Sequence, residues 1–569
     1  MTVPEPIQRR IRGRLELLYG DRAPECLDRV VRLLAPYAAK LPQTRKPAWN
    51  QRDTVLITYG DQVRAAGVSP LRSLGMFLDR AGLKDVLGTI HILPFFPYSS
   101  DDGFSVIDYR QVDPALGDWS DLAALGNNYE LMFDLVLNHV SRRSRWFTDY
   151  VAGRHPYTDY FIEVDPSVDL SSVVRPRNLP LLTPVETSRG LRHVWTTFSD
   201  DQIDLKYAEP DVLLEMLSVL LFYIEQGARI IRLDAIAYLW KTFGTSSIHL
   251  PQTHEVVKLM RDVVDAVAPG TILLTETNVP QEENASYFGD GDEAHMVYQF
   301  SLGPLLLESL LTGDATLLAG WLKGLPSTPP GATVFNFTAS HDGIGVRPLE
   351  GIMPADRKVR FIEMIRARGG HVSTKRNPDG SESPYELNIT WFSALSDTDP
   401  QRHIRRFLTS QAVMLALRGI PGVYFHSLVA TPNDTAGVER SGRARSINRK
   451  KCQLDELESD LRARDSVPGR VLAEFRRILA VRVQQPAFHP EARQDVVDLG
   501  HSSLIGFLRT SLDERQRILV LANLGPQPCE IDCAAVAGLS PKTDLLAESE
   551  TWSPGNTIRL EAYQTAWVT

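Results

Sequence analysis

Arg232 and Asp234 stand two positions apart in Ala228-Arg-Ile-Ile-Arg-Leu-Asp-Ala-Ile236. The segment is rich in β-branched residues behind Gln226-Gly227, so it reads as a buried strand, and side chains two apart on a strand share a face. A structural ion pair is one reading of this guanidinium and carboxylate. The other is a carboxylate held ionised and aimed at a reaction centre. Further polar residues end other apolar runs: Glu276 after Thr271-Ile-Leu-Leu-Thr275, His341-Asp342 after Thr333–Ser340, and Asn138-His139 after Asp134-Leu-Val-Leu137. Ser99-Ser-Asp-Asp-Gly-Phe104 follows one more. Buried unpaired charges are costly, so a fold that gathers such a set has a use for it. Two carboxylates flanking an anomeric carbon are what retaining glycosyl transfer needs: one attacks and becomes covalently attached, the other protonates the leaving oxygen and later acts as base. On this reading Asp234 is the nucleophile, with Arg232 keeping it ionised. Glu276 is the acid/base, its carboxyl raised by apolar neighbours and nearby negative charge. Asp342 stabilises the oxocarbenium-like transition state. His139 and His341 bond sugar hydroxyls, or are satisfied structural histidines.

The elements that must position these residues follow from apolar periodicity. Eight short apolar runs (Val55–Gly60, Thr89–Phe96, Leu131–Val140, Ala228–Ile236, Thr271–Thr277, His295–Phe300, Thr333–Asp342 and Gly422–Leu428) alternate with helical stretches such as Pro210–Gly227 and Thr253–Ala268. Alternating β and α elements argue for parallel strands with crossover helices, and eight such units for an α/β chain folded as a (β/α)8 TIM barrel. The barrel is expected over residues 51–140 and 209–484. Residues 141–208 form a loop domain inserted after the third strand, and 343–399 an insertion after the seventh. Long connections at strand C-termini overhang the mouth and usually carry function. Residues 1–50 read as a helical extension ending near Pro47, with stripes Ile7, Ile11, Leu15, Leu18 and Leu27, Val30, Val31, Leu34. Residues 485–569 alternate with period two and read as an antiparallel β domain with strands at Asp495–Leu499, Leu504–Arg509, Arg517–Asn523, Cys529–Cys533, Thr543–Leu546 and Thr557–Thr569.

Of 569 residues, 43% are apolar and 23% charged, with 61 basic against 70 acidic residues and a net charge of −9. This balance argues against a general nucleic-acid binder or a basic membrane-surface protein. No apolar run approaches the ~18 residues of a membrane span, and the charged start has no apolar leader. The cysteines Cys26, Cys452, Cys529 and Cys533 lack histidines at zinc spacing. The C-x3-C of Cys529 and Cys533 reads as two ordinary thiols or a weak metal half-site. A cytoplasmic setting is expected, with no metal and no cofactor.

The set Asp134–His139, Arg232–Asp234, Glu276 and His341-Asp342 resembles the four signature regions of the α-amylase family (glycoside hydrolase family 13). Within it, Ile57-Thr-Tyr59, His91-Ile-Leu-Pro-Phe-Phe96, Asp102-Gly-Phe104, Arg175-Pro-Arg177, His341-Asp-Gly-Ile-Gly345, Tyr385 and Ser446-Ile-Asn-Arg449 resemble the sucrose-phosphorylase subfamily. The resemblance implies that Asp102, His139, Arg232 and Arg449 grip the donor glucose, that Phe104 and Phe198 form an aromatic wall beside Gln202 and Tyr238, and that Arg177 and Tyr385 sit on loops that exchange acceptor for phosphate. It implies reversible phosphorolysis of a small α-glucoside by inorganic phosphate, giving α-glucose 1-phosphate with retention, by a monomer or homodimer. The chain departs from sucrose phosphorylases at Asn278, where they typically carry histidine, and at Glu382-Ser-Pro-Tyr-Glu386, where they read Leu-Asp-Leu-Tyr-Gln. Ser383–Ile389, the N-terminal extension and Ser441–Arg449 are more similar to glucosylglycerate phosphorylases, whose acceptor, like phosphate, is an anion. Among the basic residues of 343–399, Lys375 and Arg376 are the candidates to meet that anion. The alternatives are a phosphorylase of sucrose, sucrose 6-phosphate or glucosylglycerol, an α-glucosidase or transglucosylase, a metal-dependent hydrolase, or a non-catalytic barrel. Lys206 stands where relatives read Asn in Asp-Leu-Asn-Tyr, and the sequence offers no physical account of it.

Overall fold

The structure, a computed structural model, describes residues 3–41, 49–377, 380–463, 465–532, 543–547 and 557–569. Pro47, Pro378-Asp379 of the Asn-Pro-Asp-Gly turn, and Cys533 lie outside the described residues.

Eight parallel strands close into a barrel in chain order: β1 (Val55–Thr58), β2 (Thr89–Ile92), β3 (Glu130–Val136), β4 (Ala228–Asp234), β5 (Ile272–Thr275), β6 (Met296–Tyr298), β7 (Thr333–Phe337) and β8 (Ile420–Tyr424). β1 closes the ring by pairing with both β2 and β8. Six strands sit inside the apolar runs; β3 begins one residue before Leu131–Val140, and β8 begins two residues before Gly422–Leu428. β1, β2, β5, β7 and β8 are buried along their whole length, as strands covered on both faces must be. The barrel interior is packed tightly enough that a Cβ at Gly422 would lie 2.5 Å from the Phe335 ring. Helices Pro210–Glu225 and Pro251–Val267 each open on a proline, whose missing N–H costs nothing in a first turn.

The N-terminal helices Glu5–Tyr19 and Ala23–Lys40 pack on those two crossover helices. Ile11, Leu15, Leu18, Leu27, Val30 and Leu34 are buried in the contact. Arg10 meets Asp262 at 2.5 Å and Arg14 meets Asp292 at 2.7 Å. Part-exposed ion pairs contribute little each, so the apolar stripes do most of the docking.

After β3 the chain makes a two-stranded ribbon, His139–Ser141 with Gln202–Asp204, and a hairpin, Leu182–Thr187 with Gly190–Trp195. Val164, Val173, Leu181 and Trp195 give this insertion a small core of its own. After β7, Ile344–Gly345, Glu382–Asn388 and His371–Arg376 form a three-stranded antiparallel sheet behind helix Ala355–Arg366. The basic residues of 343–399 are offset within the same stretch, which carries eight acidic residues against eight basic ones. Arg357 is engaged with Glu308 and Asp314, Arg360 with Asp356, and Arg366 with Glu363.

At the C-terminus, Arg493–Val497, Leu504–Thr510, Arg517–Asn523 and Thr565–Val568 form a four-stranded antiparallel sheet, and Cys529–Asp532 pairs with Thr557–Leu560. Two expectations are corrected here. Residues 543–546 make a single bridge, Asp544 to Val568, rather than a strand. The run 557–569 is two strands in two sheets, broken by a turn in which Tyr563 takes φ 53°. Among the described residues no helix is long and apolar enough to cross a membrane.

Candidate active site

Strand β4 places Arg232 and Asp234 on one face, as period two requires. Arg232 Nη1 lies 2.6 Å from Asp234 Oδ1 and 2.5 Å from Asp134 Oδ1 on β3, and Nε donates to the Tyr298 hydroxyl on β6 at 3.1 Å. The other Asp134 oxygen, Oδ2, is 2.6 Å from His91 Nε2 on β2. One buried guanidinium thus ties β3, β4 and β6, and Asp134 extends the network to β2. Just beyond Asp234, Ala235 takes a left-handed conformation (φ 50°), and its N–H donates to Glu276 Oε2 at 3.0 Å. A β-carbon is strained in that region; the turn brings the ends of β4 and β5 together, with a carboxylate on each.

The three carboxylates differ in environment. Burial raises the Glu276 carboxyl to about 7, helped by the negative charges of Asp234 and Asp342 and opposed by Arg232. Burial also raises Asp234, but Arg232 opposes it from 2.6 Å, against 3.8 Å for Glu276, so the proton of this pair belongs on Glu276. Desolvation pushes Asp342 up too, yet Arg445 Nη1 at 2.6 Å, with His341, Arg449 and Arg232, holds it well below the usual carboxylate range. His341 is pushed down to about 3 by burial, with Arg232 and Arg449 adding to it against Asp342, so the imidazole stays neutral. Its ring stacks on Phe104 at 4.8 Å. His139 Nε2 bonds the Phe104 carbonyl at 2.8 Å and lies 3.1 Å from Gln202 Nε2. Phe198 packs edge-on against Tyr238 at 5.5 Å. The result is a cavity with Asp234 held against Arg232, Glu276 with its carboxyl raised, Asp342 held low by Arg445, and aromatic and imidazole walls. Such a set can perform double-displacement transfer of a sugar.

Residues 83–311 match the α-amylase family, described as "Alpha amylase, catalytic domain". Over 585 aligned residues the chain is 44% identical to a protein named glucosylglycerate phosphorylase from Spirochaeta thermophila, covering 99% of each. It is 41% identical to the Escherichia coli protein of the same name, covering 99% of this chain and 100% of that one. The chain belongs to the α-amylase family. A crystal structure of sucrose 6F-phosphate phosphorylase from Thermoanaerobacter thermosaccharolyticum superposes with a TM-score of 0.73 at 28% identity, covering 83% of this chain and 94% of that one. With the curated relatives this places it in the sucrose-phosphorylase subfamily.

Against this α-amylase-family frame, Phe104, His139, Phe198, Gln202, Asp234, Tyr238, Glu276, His341 and Asp342 line the cavity, joined by Arg177, Asn278 and Tyr385. Arg232 lies behind the wall. Asp102, also left-handed at φ 49°, pairs with Arg449 Nη1 at 2.6 Å along an adjoining groove. Arg449 Nε donates to the His341 carbonyl at 2.8 Å, so the pair braces the end of β7. Lys375 and Arg376 do not line the cavity. They pair with Ser383 and Glu382, whereas Glu386 pairs with Gly345 beside the mouth, and three or four residues along a strand is about 10 Å or more. Two glycines of His341-Asp-Gly-Ile-Gly345 are explained by close approach: a Cβ at 343 would lie 2.5 Å from Glu386 Cγ, and one at 345 would lie 2.5 Å from Asn278 Oδ1. Sequence reasoning missed Arg445, Phe300 and Tyr298. Arg445 precedes Arg449 by four residues on the short helix Ala444–Asn448, and that spacing was the available signal. Lys206 lines a separate hollow with Phe161, Arg189 and Phe243, outside the cavity.

Proposed function

We propose that this protein is a retaining glucoside phosphorylase that moves the glucosyl group of glucosylglycerate to inorganic phosphate. The observation that carries the reading is the carboxylate pair Asp234 and Glu276 lining one cavity together with Arg177 and Tyr385. Relatives alignable over their full length bear the name glucosylglycerate phosphorylase, which supports the choice of substrate.

In the first step Asp234 attacks the anomeric carbon, the bond to the glycerate oxygen breaks, and Glu276 gives its proton to that oxygen. A β-glucosyl ester of Asp234 and free glycerate result. In the second step a phosphate oxygen attacks the same carbon from the opposite face, any proton it carries passes to the Glu276 carboxylate, and Asp234 leaves. Two inversions give α-glucose 1-phosphate. Asp342 faces the developing positive charge in both steps. His139 and His341 hold the glucose against Phe104, Phe198, Gln202 and Tyr238, while Arg232 positions Asp234 from behind the wall and the Asp102–Arg449 pair braces the adjoining groove. The cycle draws on side chains alone, and the reading carries with it a cytoplasmic monomer or homodimer.

The test is release of α-glucose 1-phosphate from glucosylglycerate and from sucrose, each with and without phosphate. Phosphate-dependent release from glucosylglycerate, with little from sucrose, is the expected result. Preference for sucrose would sink the choice of acceptor, and free glucose irrespective of phosphate would make the protein a hydrolase. Arg177→Ala should raise the KM for phosphate by about tenfold or more, as loss of a charge-assisted contact does. An equal loss in hydrolysis of p-nitrophenyl α-glucoside would remove Arg177 from the phosphate site.

A further inference from the structure

Glu386 stands where a direct contact to the acceptor is expected, yet its carboxylate does not face the cavity. It is 1% exposed. Its Oε1 accepts the Gly343 N–H, and its Oε2 accepts from Arg445 Nη2 at 3.0 Å and Nε at 3.2 Å. Arg177 Nη1 lies 3.8 Å from the same oxygen, close enough for attraction and too far for a hydrogen bond. Both arginines line the cavity. We propose that Glu386 is a positioning residue that gives this site its preference for anionic acceptors, by holding Arg445 and, more loosely, Arg177 with donors open to the pocket. The inference rests on the phosphorylase reading and deepens it.

The donor count supports it. A guanidinium has five N–H donors. Arg445 spends Nε and one Nη2 donor on Glu386, leaving three, while its Nη1 lies 2.6 Å from Asp342 Oδ1 as an ion pair. Arg177 makes no hydrogen bond among the described residues and rests over the Tyr385 ring, 5.8 Å from its centre. Arg177 and Arg445 are balanced in charge by Glu386 and Asp342, so what this corner offers an anion is fixed guanidinium donors rather than a surplus of positive charge. A carboxylate or a phosphate can take those donors in the planar, charge-assisted manner guanidinium favours, whereas a neutral polyol forgoes the charge term. Gly343 is part of the device, since a side chain there would occupy the place of the Glu386 stem. Asp342 is part of it too: Arg445 bridges the acceptor-side sheet and the transition-state carboxylate, so a loosened Arg445 would fall back on Asp342 alone.

Charge and position make opposite predictions for Glu386→Gln. If net charge alone governed the site, removing an anion would tighten binding of phosphate and glycerate. If position governs it, the guanidinium is no longer held and anions bind more weakly. The experiment measures KM for phosphate in the forward direction, and KM for glycerate and glycerol with α-glucose 1-phosphate as donor, for the full-length protein, Glu386→Gln, Glu386→Asp and Arg445→Lys. The expected result is that Glu386→Gln and Arg445→Lys raise both anion KM values about tenfold more than that of glycerol, with partial recovery in Glu386→Asp. Lower anion KM values in Glu386→Gln, equal changes for glycerate and glycerol, or no recovery in Glu386→Asp would each overturn the proposal. Should Glu386→Gln fail to fold by circular dichroism, Arg445→Lys, which keeps the charge and breaks the bidentate hold, carries the same test. If the unaltered protein ignores glycerate but releases α-glucose 1-phosphate from another glucoside, the substrate reading fails, and the phosphate KM still decides on Glu386.

Discussion

Asp234→Ala is expected to lower α-glucose 1-phosphate formation by about 10⁴-fold or more, and azide is expected to restore turnover with β-glucosyl azide as product. Truncation leaves a space beneath the anomeric carbon on the face opposite the leaving group. A small anion in that space attacks with one inversion and has no second step, so an α-glucoside yields a β product. The fold should tolerate the change, because Arg232 keeps its contacts to Asp134 at 2.5 Å and to Tyr298 at 3.1 Å and is not left as an unpaired buried charge. The readouts are kcat for phosphorolysis and the anomeric proton coupling of the azide. An α-glucosyl azide, or near-normal phosphorolysis, would show that Asp234 is not the nucleophile.

The barrel was legible because parallel strands are buried on both faces, and eight apolar runs punctuated by amphipathic helices have few other solutions. Strand ends were less legible. The run Thr333–Asp342 contains β7 only as far as Phe337, because the polar residues that turn into the mouth follow apolar ones without a break. Asp234, Glu276 and Asp342 stood out because each is an acid at the end of an apolar run, a costly arrangement. Arg445 did not, because it lies on a short irregular helix distant in sequence from the two carboxylates it joins, Asp342 and Glu386. Lys375 and Arg376 are charges beside a turn, but the hairpin register, which sequence does not encode locally, brings Tyr385 to the mouth and Glu386 behind it instead. Glu386 reads from sequence as a carboxylate near an acceptor site, and only the fold brings the Arg445 and Arg177 guanidiniums up to it.

Glu276→Gln is expected to abolish transfer from glucosylglycerate while sparing formation of the glucosyl-enzyme from p-nitrophenyl α-glucoside. A glycerate alkoxide is a poor leaving group and needs the proton; p-nitrophenolate does not. With a carboxyl raised to about 7, the acid form is lost as pH rises through that value, so kcat for glucosylglycerate should fall about tenfold per unit above it, and this limb should vanish with the activated substrate. Azide should rescue the variant with α-glucosyl azide, the opposite anomer from Asp234→Ala, because it attacks the intermediate from the face Glu276 occupies. The same raised carboxyl has a consequence for stability. Between its unfolded value near 4.5 and about 7 the folded chain binds the extra proton, so stability falls as pH rises through that window. Glutamine carries no such penalty, and Glu276→Gln should be more stable than the unaltered protein above pH 7, by on the order of 1–3 kcal/mol, with the difference shrinking toward pH 4.5. Thermal melts across pH 5–9 measure it. A variant that gains nothing at high pH, together with an unchanged acid limb, would place the raised carboxyl elsewhere and remove Glu276 from the acid/base role.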